Sequence, residues 1–412
     1  MRFLLASSLL LGSLIAGDAS AQTPGRWRLR SSAAIAYDSF GQTYTIADKD
    51  TLDLIDELSG RVILGLERQG RTWFELANSI SVGQEATRDD VHLGLRRRGN
   101  GLDLLLIDDL HLKAWRDLSQ YALSSDYLSN TARLTAVVWP QRPWRLRLTE
   151  RLESANFAQR TRYSYDYVRN DVGGEIERRW GVFSSLRAGY AWGADQVPDS
   201  SAIDARTHRV STGWIQEFGV HTLTWEQTLE RRRYRDPETR SPYVDYQGTV
   251  TASAALGSVL RFRPAYRALV IDYDQPDSVY ANAREHSIEM ILEGELNERT
   301  TLGAGPRGEF RRTENVFDRP YDQWGVKGTL SYLVGSALWV QFSNEVGVRR
   351  YRDATAFLTD YLYNWSTLIL SARLPPRLTF DLFFSLEPED HDDDRNNTTT
   401  ILVSTALTLA LH

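Results

Sequence analysis

Polar and apolar residues alternate along the end of the chain, which is the pattern of a β-strand whose two sides meet different surroundings. One parity is mostly apolar: Thr399, Ile401, Val403, Thr405, Leu407, Leu409 and Leu411. The other parity is small or hydroxylated apart from Leu402: Thr400, Ser404, Ala406, Thr408 and Ala410. An exposed edge of this kind would promote aggregation of a soluble protein. A closed barrel in a bilayer needs such a strand, since the last strand pairs with the first and leaves no edge.

Similar alternating segments recur in pairs that are joined by very short turns. The clearest pairs are 62–69 with 73–82, 91–98 with 102–111, and 132–139 with 144–153. Within the second pair, Asn100-Gly101 predicts a type I′ hairpin turn. Further short junctions lie at Trp180-Gly181, Phe218-Gly219, Leu256-Gly257, Asn297-Glu298, Val334-Gly335 and Pro375-Pro376.

Longer polar connections separate these pairs, at 193–205, 233–242, 274–282, 313–320, 352–359 and 388–396. Short turns at one end and long loops at the other are typical of outer-membrane barrels, with the short turns periplasmic. The pattern predicts an all-β fold, an antiparallel up-and-down transmembrane barrel of about 16–20 strands closed by the C-terminal strand. We expect the first strand at 27–37, whereas 48–60 fits either a strand or a short helix in a loop.

The N-terminal stretch predicts a secretory signal peptide. Arg2 precedes a largely apolar run from Phe3 to Ala16, and Ala19-Ser20-Ala21 forms a small-residue cleavage site. We therefore predict a signal peptide at 1–21 and a single transmembrane β-barrel domain at 22–412. The alternative is an N-terminal membrane anchor, for which the apolar run is short.

Composition agrees with this architecture. The chain is 42% hydrophobic and 25% charged, because lumen and lipid faces average out within each strand of a barrel. Cysteine is absent, which excludes disulfides and thiolate metal sites, and the net charge of -6 gives no basic field for nucleic acid. The twelve Trp and nineteen Tyr favour membrane interfaces.

Two late segments separate their faces clearly. After Gly335 the apolar row is Leu338, Val340, Phe342, Val346 and Val348, against Trp339, Gln341, Ser343, Glu345 and Arg349. After Pro376 it is Leu378, Phe380, Leu382, Phe384 and Leu386, against Arg377, Thr379, Asp381, Ser385 and Glu387. We assign the apolar rows to lipid and the polar rows to the lumen. Trp139, Trp144 and Trp180 lie at short-turn ends, where a periplasmic aromatic girdle is expected.

The predicted lumen is charged. Its candidate lining residues are Arg145, Arg147, Arg261, Arg263, Arg267, Glu285, Glu289, Glu293, Arg307, Glu309 and Arg311. Neighbouring rows of opposite sign predict cross-strand ion pairs. These rows either brace the wall or create a field that selects a charged or polyhydroxylated solute, and both roles are compatible.

Two aromatic rows have two possible roles: Tyr163, Tyr165 and Tyr167, and Tyr361, Tyr363 and Trp365. They could stack on sugars in the lumen, or they could form a girdle that faces lipid. The sequence favours the second interpretation, a girdle that faces lipid, since Tyr and Trp concentrate at membrane interfaces.

Enzymatic sites find little support. His286 and Ser287 are sequence neighbours on a strand and so face opposite sides, and His208 and Ser211 differ in parity. Asp390 and His391 belong to an acidic run that is typical of a solvated loop tip, and the run lacks the glycine and glutamate of a calcium loop. We predict no enzyme, no catalytic residue, no cofactor and no metal site.

The signal peptide, paired strands, loop asymmetry and terminal strand together resemble Gram-negative outer-membrane β-barrel proteins of the porin-like type. The resemblance implies outer-membrane localisation, contact with outer-membrane lipid and lipopolysaccharide, and insertion by the barrel-assembly machinery. It also implies a channel for small hydrophilic or anionic solutes. The alternatives are a barrel of a polysaccharide export or cell-surface assembly system and a non-conducting structural barrel. No loop is long enough for the lumen loop of trimeric porins, so a monomer is favoured.

Overall fold

The chain forms one 20-stranded antiparallel sheet in a computed structural model. The structure describes residues 27–46, 49–83, 86–115, 126–159, 165–277, 280–314, 319–335, 337–353, 358–374, 377–393 and 396–411, without the side chains of 42–56 and 115. The predicted signal peptide lies outside these residues.

The strands begin and end as follows. The first ten are β1 (Trp27–Ile46), β2 (Lys49–Arg68), β3 (Thr72–Gly83), β4 (Ala86–Arg98), β5 (Leu102–Trp115), β6 (Tyr127–Val138), β7 (Trp144–Phe157), β8 (Tyr167–Arg179), β9 (Ser185–Gln196) and β10 (Ala205–Phe218). The second ten are β11 (His221–Tyr234), β12 (Tyr243–Ala255), β13 (Leu260–Tyr273), β14 (Ala283–Asn297), β15 (Thr300–Thr313), β16 (Tyr321–Val334), β17 (Leu338–Tyr351), β18 (Tyr361–Leu374), β19 (Leu378–His391) and β20 (Thr398–Ala410).

The sheet is closed by its terminal strands. Each strand pairs with the next, and β20 pairs with β1 from Ser32 opposite Ala410 to Tyr44 opposite Thr398. The predicted closure by the C-terminal strand is therefore confirmed. The only helix among the described residues is a single 3₁₀ turn at Ser201–Ile203, and none has the length and apolar character needed to cross a membrane.

Two local predictions were wrong. The first concerns the end of the first strand, because β1 continues past Tyr37 to Ile46 and pairs with β2 along its whole length. For 48–60 the sequence left a strand and a short helix open, and the strand is confirmed, since 49–60 belongs to β2. Pairing with a neighbour thus overrides the local helical pattern. The β4–β5 connection also differs from a type I′ turn: it has three residues, and neither Asn100 nor Gly101 has the positive φ that this turn requires.

The loop asymmetry is confirmed. Connections of two to five residues join even strands to the following odd strands. In two of them, Gly219 and Gly335 have φ of 66° and 57°, a region that glycine adopts without the steric cost of a side chain. Most connections at the opposite end are longer, as in 235–242 and 274–282. We assign the short-turn end to the periplasm.

The register fixes the dimensions of the barrel. A path that starts at a residue of β1 and passes through the paired residue of each successive strand comes back to β1 after one turn. It meets β1 about 24 residues further towards the C-terminus than the residue where it began. With a strand spacing of about 4.8 Å, this stagger corresponds to a tilt of about 40° and a backbone radius of about 20 Å. Such a barrel leaves room for a water-filled lumen.

The two faces of the sheet differ in polarity. One face exposes large apolar side chains, such as Leu64, Val346 and Leu186, which are 53%, 50% and 47% exposed. The other face carries the charged rows, including the buried Glu309 and Glu345. Since apolar side chains belong in lipid and charged ones in water, the first face is the outer wall and the second the inner wall.

Candidate functional site on the inner wall

The charged rows of β13, β14 and β15 lie side by side on the inner wall. The register places Arg261 opposite Glu293, and Glu285 opposite Arg311. Opposite charges meet across the strands, as the sequence predicted: Arg263 Nε lies 3.0 Å from Glu293 Oε2, and Arg311 Nη1 lies 2.7 Å from Glu285 Oε2. Much of the arginine charge in this sector is therefore neutralised within the wall.

Ion pairs also occupy the wall formed by β7 and β8. Arg147 Nη1 lies 3.1 Å from Glu175 Oε1, and Arg145 Nη1 lies 3.8 Å from Glu177 Oε2. Arg147 stays 45% exposed despite its pair, so solvent reaches the wall here. The glutamates on β8 were not singled out from the sequence, although their parity on that strand would have identified them.

Several arginines on the inner wall, Arg133, Arg261 and Arg267 among them, differ from the arginines in the ion pairs. Arg133, Arg261 and Arg267 are exposed, and within the described residues no carboxylate lies within ion-pair distance of them. The register sets Arg267 between Thr249 and Ser287, two neutral side chains. Among the residues that the structure describes, their charges face the lumen without an acidic partner.

A closed network of polar groups joins β15 to β18, and we call it the arginine–tyrosine cluster. Its members are Arg307, Glu309, Tyr321, Gln323, Glu345, Arg349 and Tyr363. Glu345 accepts from Arg307 Nη1 at 2.7 Å and from Tyr363 Oη at 2.8 Å. Gln323 donates to Tyr363 Oη at 3.0 Å and accepts from Arg349 Nε at 2.8 Å.

The other half of this cluster closes the ring. Arg307 Nη2 donates to Glu309 at 3.2 Å, and Tyr321 Oη donates to the second oxygen of Glu309. The guanidinium of Arg349 then lies 4.1 Å from the centroid of the Tyr321 ring. Such fully connected networks hold a wall rigid, because each buried polar group has a partner. The sequence did not predict this cluster, since its members are dispersed over β15 to β18.

The aromatic row on β18 faces inward, so the preferred interpretation as a girdle in lipid was wrong. Tyr361 and Tyr363 are 4% and 2% exposed, and they share the face of Arg349 and Glu345. The side chain of Tyr363 crosses Gly347 and Gly325, whose missing Cβ atoms leave the space for its ring. Burial of the phenols against the wall is therefore built into the neighbouring strands.

The other predicted aromatic row is also turned inward where the structure describes it. Tyr163 lies outside the described residues. Tyr167 Oη donates to Glu153 at 2.7 Å, and Tyr165 packs edge-on against the Tyr167 ring at 6.5 Å between centroids. Nearby, the carboxylate of Asp195 is shared by Arg169 and Arg232. A second braced region thus lies on the inner wall of β8 to β11.

The tested catalytic pairs remain apart. His286 bonds to Tyr266 Oη at 2.7 Å on the outer wall, whereas Ser287 faces the lumen opposite Arg267. Among the described residues, no group of three or more His, Cys, Asp or Glu side chains is arranged to hold a metal ion. The absence of an enzymatic function stays a prediction.

Comparison with known proteins reveals likeness in fold. No family model and no curated protein matches the chain. The siderophore receptor PirA from Pseudomonas aeruginosa is similar at 11% identity over 93% of this chain and 81% of that chain, with a TM-score of 0.58. The siderophore receptor PirA from Acinetobacter baumannii is 8% identical over 95% of this chain and 81% of that chain, with a TM-score of 0.60. The alcaligin outer-membrane receptor FauA from Bordetella pertussis is 11% identical over 93% of this chain and 76% of that chain, with a TM-score of 0.53.

At these identities the likeness concerns the barrel and not its ligand. It agrees with what the wall itself shows: an even number of antiparallel strands, full closure, an apolar outer face and short turns at one end. Only lipid suits such an outer face, and these features together define bacterial outer-membrane barrels. The protein is therefore a 20-stranded outer-membrane β-barrel, located in the outer membrane of a Gram-negative bacterium.

Proposed function

We propose that the barrel is a passive channel for small hydrophilic solutes, with a preference for anions. The observation that carries this proposal is the exposure of charged side chains on two well-separated parts of the inner wall. Arg263 on β13 is 50% exposed, and Arg147 on β7 is 45% exposed. Solvent therefore reaches the wall from inside the barrel, as passage of a hydrated solute requires.

We assign the anion preference to the unpaired arginines. The opposite charges of an ion pair such as Arg311 and Glu285 cancel at a distance. Such pairs therefore brace the wall but contribute little to the electrostatic field in the lumen. Arg133, Arg261 and Arg267 keep a positive charge that faces the lumen. Because the lumen is wide and the Debye length at physiological salt is about 8 Å, the preference is weak there and grows at low salt.

The alternative of polysaccharide export receives less support. Stacking on sugars requires an open ring face, but Tyr361 and Tyr363 are packed against the wall. A non-conducting barrel would need a lumen filled by side chains, and the exposed arginines disfavour it. Lipid and lipopolysaccharide around the outer wall, and the assembly machinery during insertion, are the further partners that we propose.

The test is single-channel conductance of the refolded protein in a planar bilayer. We expect stable steps with anion preference, and a loss of that preference in the double variant Arg261→Ser, Arg267→Ser. The control is Arg350→Ser, an exposed arginine on the outer wall of β17, which should conduct like the parent. A folded barrel that never conducts would refute the channel, and an unchanged preference in the double variant would refute the role of these arginines.

A further inference from the structure

Two arginines lie directly opposite each other on the outer wall, at the extracellular end of β10 and β11. The register pairs Arg206 with Arg233, and both side chains are exposed. Their outward direction follows from the paired residues Val210 and Leu229 on the same faces of these strands, which are exposed apolar residues of the outer wall. Like charges that lie directly opposite in a sheet repel each other. The pair therefore needs a counter-charge.

The described part of the chain supplies no such counter-charge. Within the described residues, no carboxylate lies within ion-pair distance of Arg206 or Arg233. The nearby carboxylate of Asp204 is already used, because it pairs with Arg235 at 3.7 Å and accepts from the backbone N–H of Val197 at 2.7 Å. The charge of the two arginines is thus open towards the surroundings of the barrel.

The row of side chains beneath this pair is satisfied within the protein. His208 lies opposite Arg231 in the register. His208 Nδ1 forms a hydrogen bond of 2.7 Å with Tyr190 Oη, and Arg231 Nη1 donates to Asp274 at 2.8 Å. Only the upper row therefore lacks partners. We call the four basic residues of the two rows the outer arginine patch: Arg206, Arg231, Arg233 and His208.

A second pair of opposed arginines on the same rim is neutralised by the chain itself. Arg284 on β14 lies opposite Arg312 on β15. Arg312 forms an ion pair with Asp322 and also donates to the backbone carbonyl of Tyr321 at 2.9 Å. An aspartate thus relieves the repulsion between β14 and β15. The pair on β10 and β11 has no equivalent of this aspartate among the described residues.

The height of the outer arginine patch identifies its surroundings. Arg206 lies twelve residues from Phe218, where β10 ends at the periplasmic turn. At a tilt of about 40° each residue rises by about 2.5 Å, so Arg206 lies about 30 Å above that turn. The apolar band of an outer-membrane barrel is about 25 Å tall. The patch therefore lies just beyond the hydrocarbon on the extracellular side, at the depth of lipid headgroups.

The arginines of the outer wall are distributed unevenly around the barrel. Among the described strand residues, those at the extracellular end lie on β10 to β17: Arg206, Arg231, Arg233, Arg284, Arg312 and Arg350. The outward arginines of β1 to β9 lie at the periplasmic end instead: Arg68, Arg97 and Arg178. A general anchor for anionic lipid would surround the barrel, so this confinement favours a local docking surface.

Exposed aromatic rings lie on the hydrocarbon side of the patch. Trp192 on β9 lies opposite His208, and Tyr190 lies two residues closer to the periplasm on the same strand. Their side chains are exposed on the outer wall. Basic groups above apolar rings match a lipid with an anionic headgroup and acyl chains better than they match a free anion. Among anionic groups, phosphate is the one that arginine binds with paired, charge-assisted hydrogen bonds.

We propose that the outer arginine patch binds a phosphate group of lipopolysaccharide, with Arg206 and Arg233 both donating to it. The extracellular rim of the barrel meets the outer leaflet of the outer membrane, where this lipid resides. One phosphate between the two guanidinium groups replaces their repulsion by two attractive contacts. The proposal rests on the contact of the outer wall with lipopolysaccharide proposed above, and it is independent of whether the lumen conducts.

Lipid binding to the refolded protein in detergent tests the patch. Native mass spectrometry measures the binding of two probes: lipid A, the phosphorylated membrane anchor of lipopolysaccharide, and the same lipid after dephosphorylation. We expect the parent to bind phosphorylated lipid A roughly tenfold more tightly, since its contacts to phosphate are charge-assisted. The double variant Arg206→Ser, Arg233→Ser should lose this preference. The matched control is Arg350→Ser on the same rim, where Asp322 lies opposite, and it should bind like the parent.

Two further probes separate the sources of the anion. Neither inorganic phosphate in large excess nor phosphatidylglycerol should displace phosphorylated lipid A from the parent. Displacement by inorganic phosphate would assign the patch to a free anion, and equal binding of phosphatidylglycerol would make it a general anchor, so either result would overturn the proposal. A parent without preference for the phosphorylated form, or an equal loss in Arg350→Ser, would overturn it as well. A double variant that keeps the preference would overturn this site but leave the general contact with lipopolysaccharide in place.

The stability of the double variant without lipid gives a second readout. Because the two serines remove a repulsion, its midpoint of urea unfolding in lipid-free detergent should equal or exceed that of the parent. Added lipid A should raise the midpoint of the parent and not that of the double variant, since a ligand stabilises the folded state that binds it. A double variant that fails to fold, or that has a lower midpoint without lipid, would show that Arg206 and Arg233 have partners within the chain and would contradict the proposal.

Discussion

Replacing Glu345 by Ala should destabilise the barrel more than the deletion of a more exposed carboxylate from an ion pair of the inner wall. The Glu345 side chain is 8% exposed, and it accepts from Arg307 at 2.7 Å and from Tyr363 Oη at 2.8 Å. Its removal leaves the part-buried Arg307 guanidinium and the buried Tyr363 phenol each without one of their partners.

The magnitude follows from burial. Removing one partner of a buried ion pair costs about 3–5 kcal/mol, because the remaining charge stays uncompensated. Arg307 is 28% exposed and keeps Glu309 at 3.2 Å, so part of its charge remains compensated. The lost hydrogen bond of Tyr363 adds about 1 kcal/mol. We therefore expect the free energy of unfolding to fall by about 2–4 kcal/mol.

The matched control is Glu289→Ala. Glu289 pairs with Lys327 at 3.0 Å on the same wall, but both side chains are 30% exposed. Solvent screens such a pair, and its deletion should cost no more than about 1 kcal/mol. Reversible urea unfolding of the refolded barrel in detergent, followed by the fluorescence of its twelve Trp, measures both values. Equal losses in the two variants, or a loss below about 0.5 kcal/mol for Glu345→Ala, would refute the reasoning.

Three further predictions concern packing, selectivity and a surface loop. Gly347→Ala should cost about 1–3 kcal/mol of unfolding free energy, because the new Cβ would collide with the Trp324 carbonyl, while Gly60→Ala, with nothing within 4 Å, should be neutral in the same urea assay. Arg267→Ser should reduce anion preference more in reversal potentials at 10 mM salt than at 1 M, where the Debye length falls from about 30 Å to about 3 Å; an equal change would contradict a field effect. The Thr239 hydroxyl lowers the pKa of Asp236 in the β11–β12 loop, so this contact stabilises the loop above the ordinary pKa and is lost as pH falls through the lowered one. Thr239→Val should raise the Asp236 pKa towards its ordinary value in carboxyl NMR titration, and an unchanged pKa would refute the assignment.

The barrel itself could be predicted from the chain because its signal is local. Alternation with period two marks each strand, and the turn-forming residues between strands mark each hairpin, as at Phe218-Gly219 and Val334-Gly335. Opposite charges on adjacent strands could also be anticipated, since consecutive strands of an up-and-down barrel are neighbours. Arg263 with Glu293 and Arg311 with Glu285 are such pairs.

What the sequence determined is thus the alternation, the direction of most side chains and the closure of the sheet, all of which depend on neighbours along the chain or in the next hairpin. The tertiary structure decided which arginines are paired with carboxylates and how Tyr363 lies across Gly347. These features depend on stagger and tilt, which add up over several strands. A shift of one strand by two residues against its neighbour leaves every side chain on the same face of the sheet. Alternation alone therefore carries no information about how far one strand is shifted against the next.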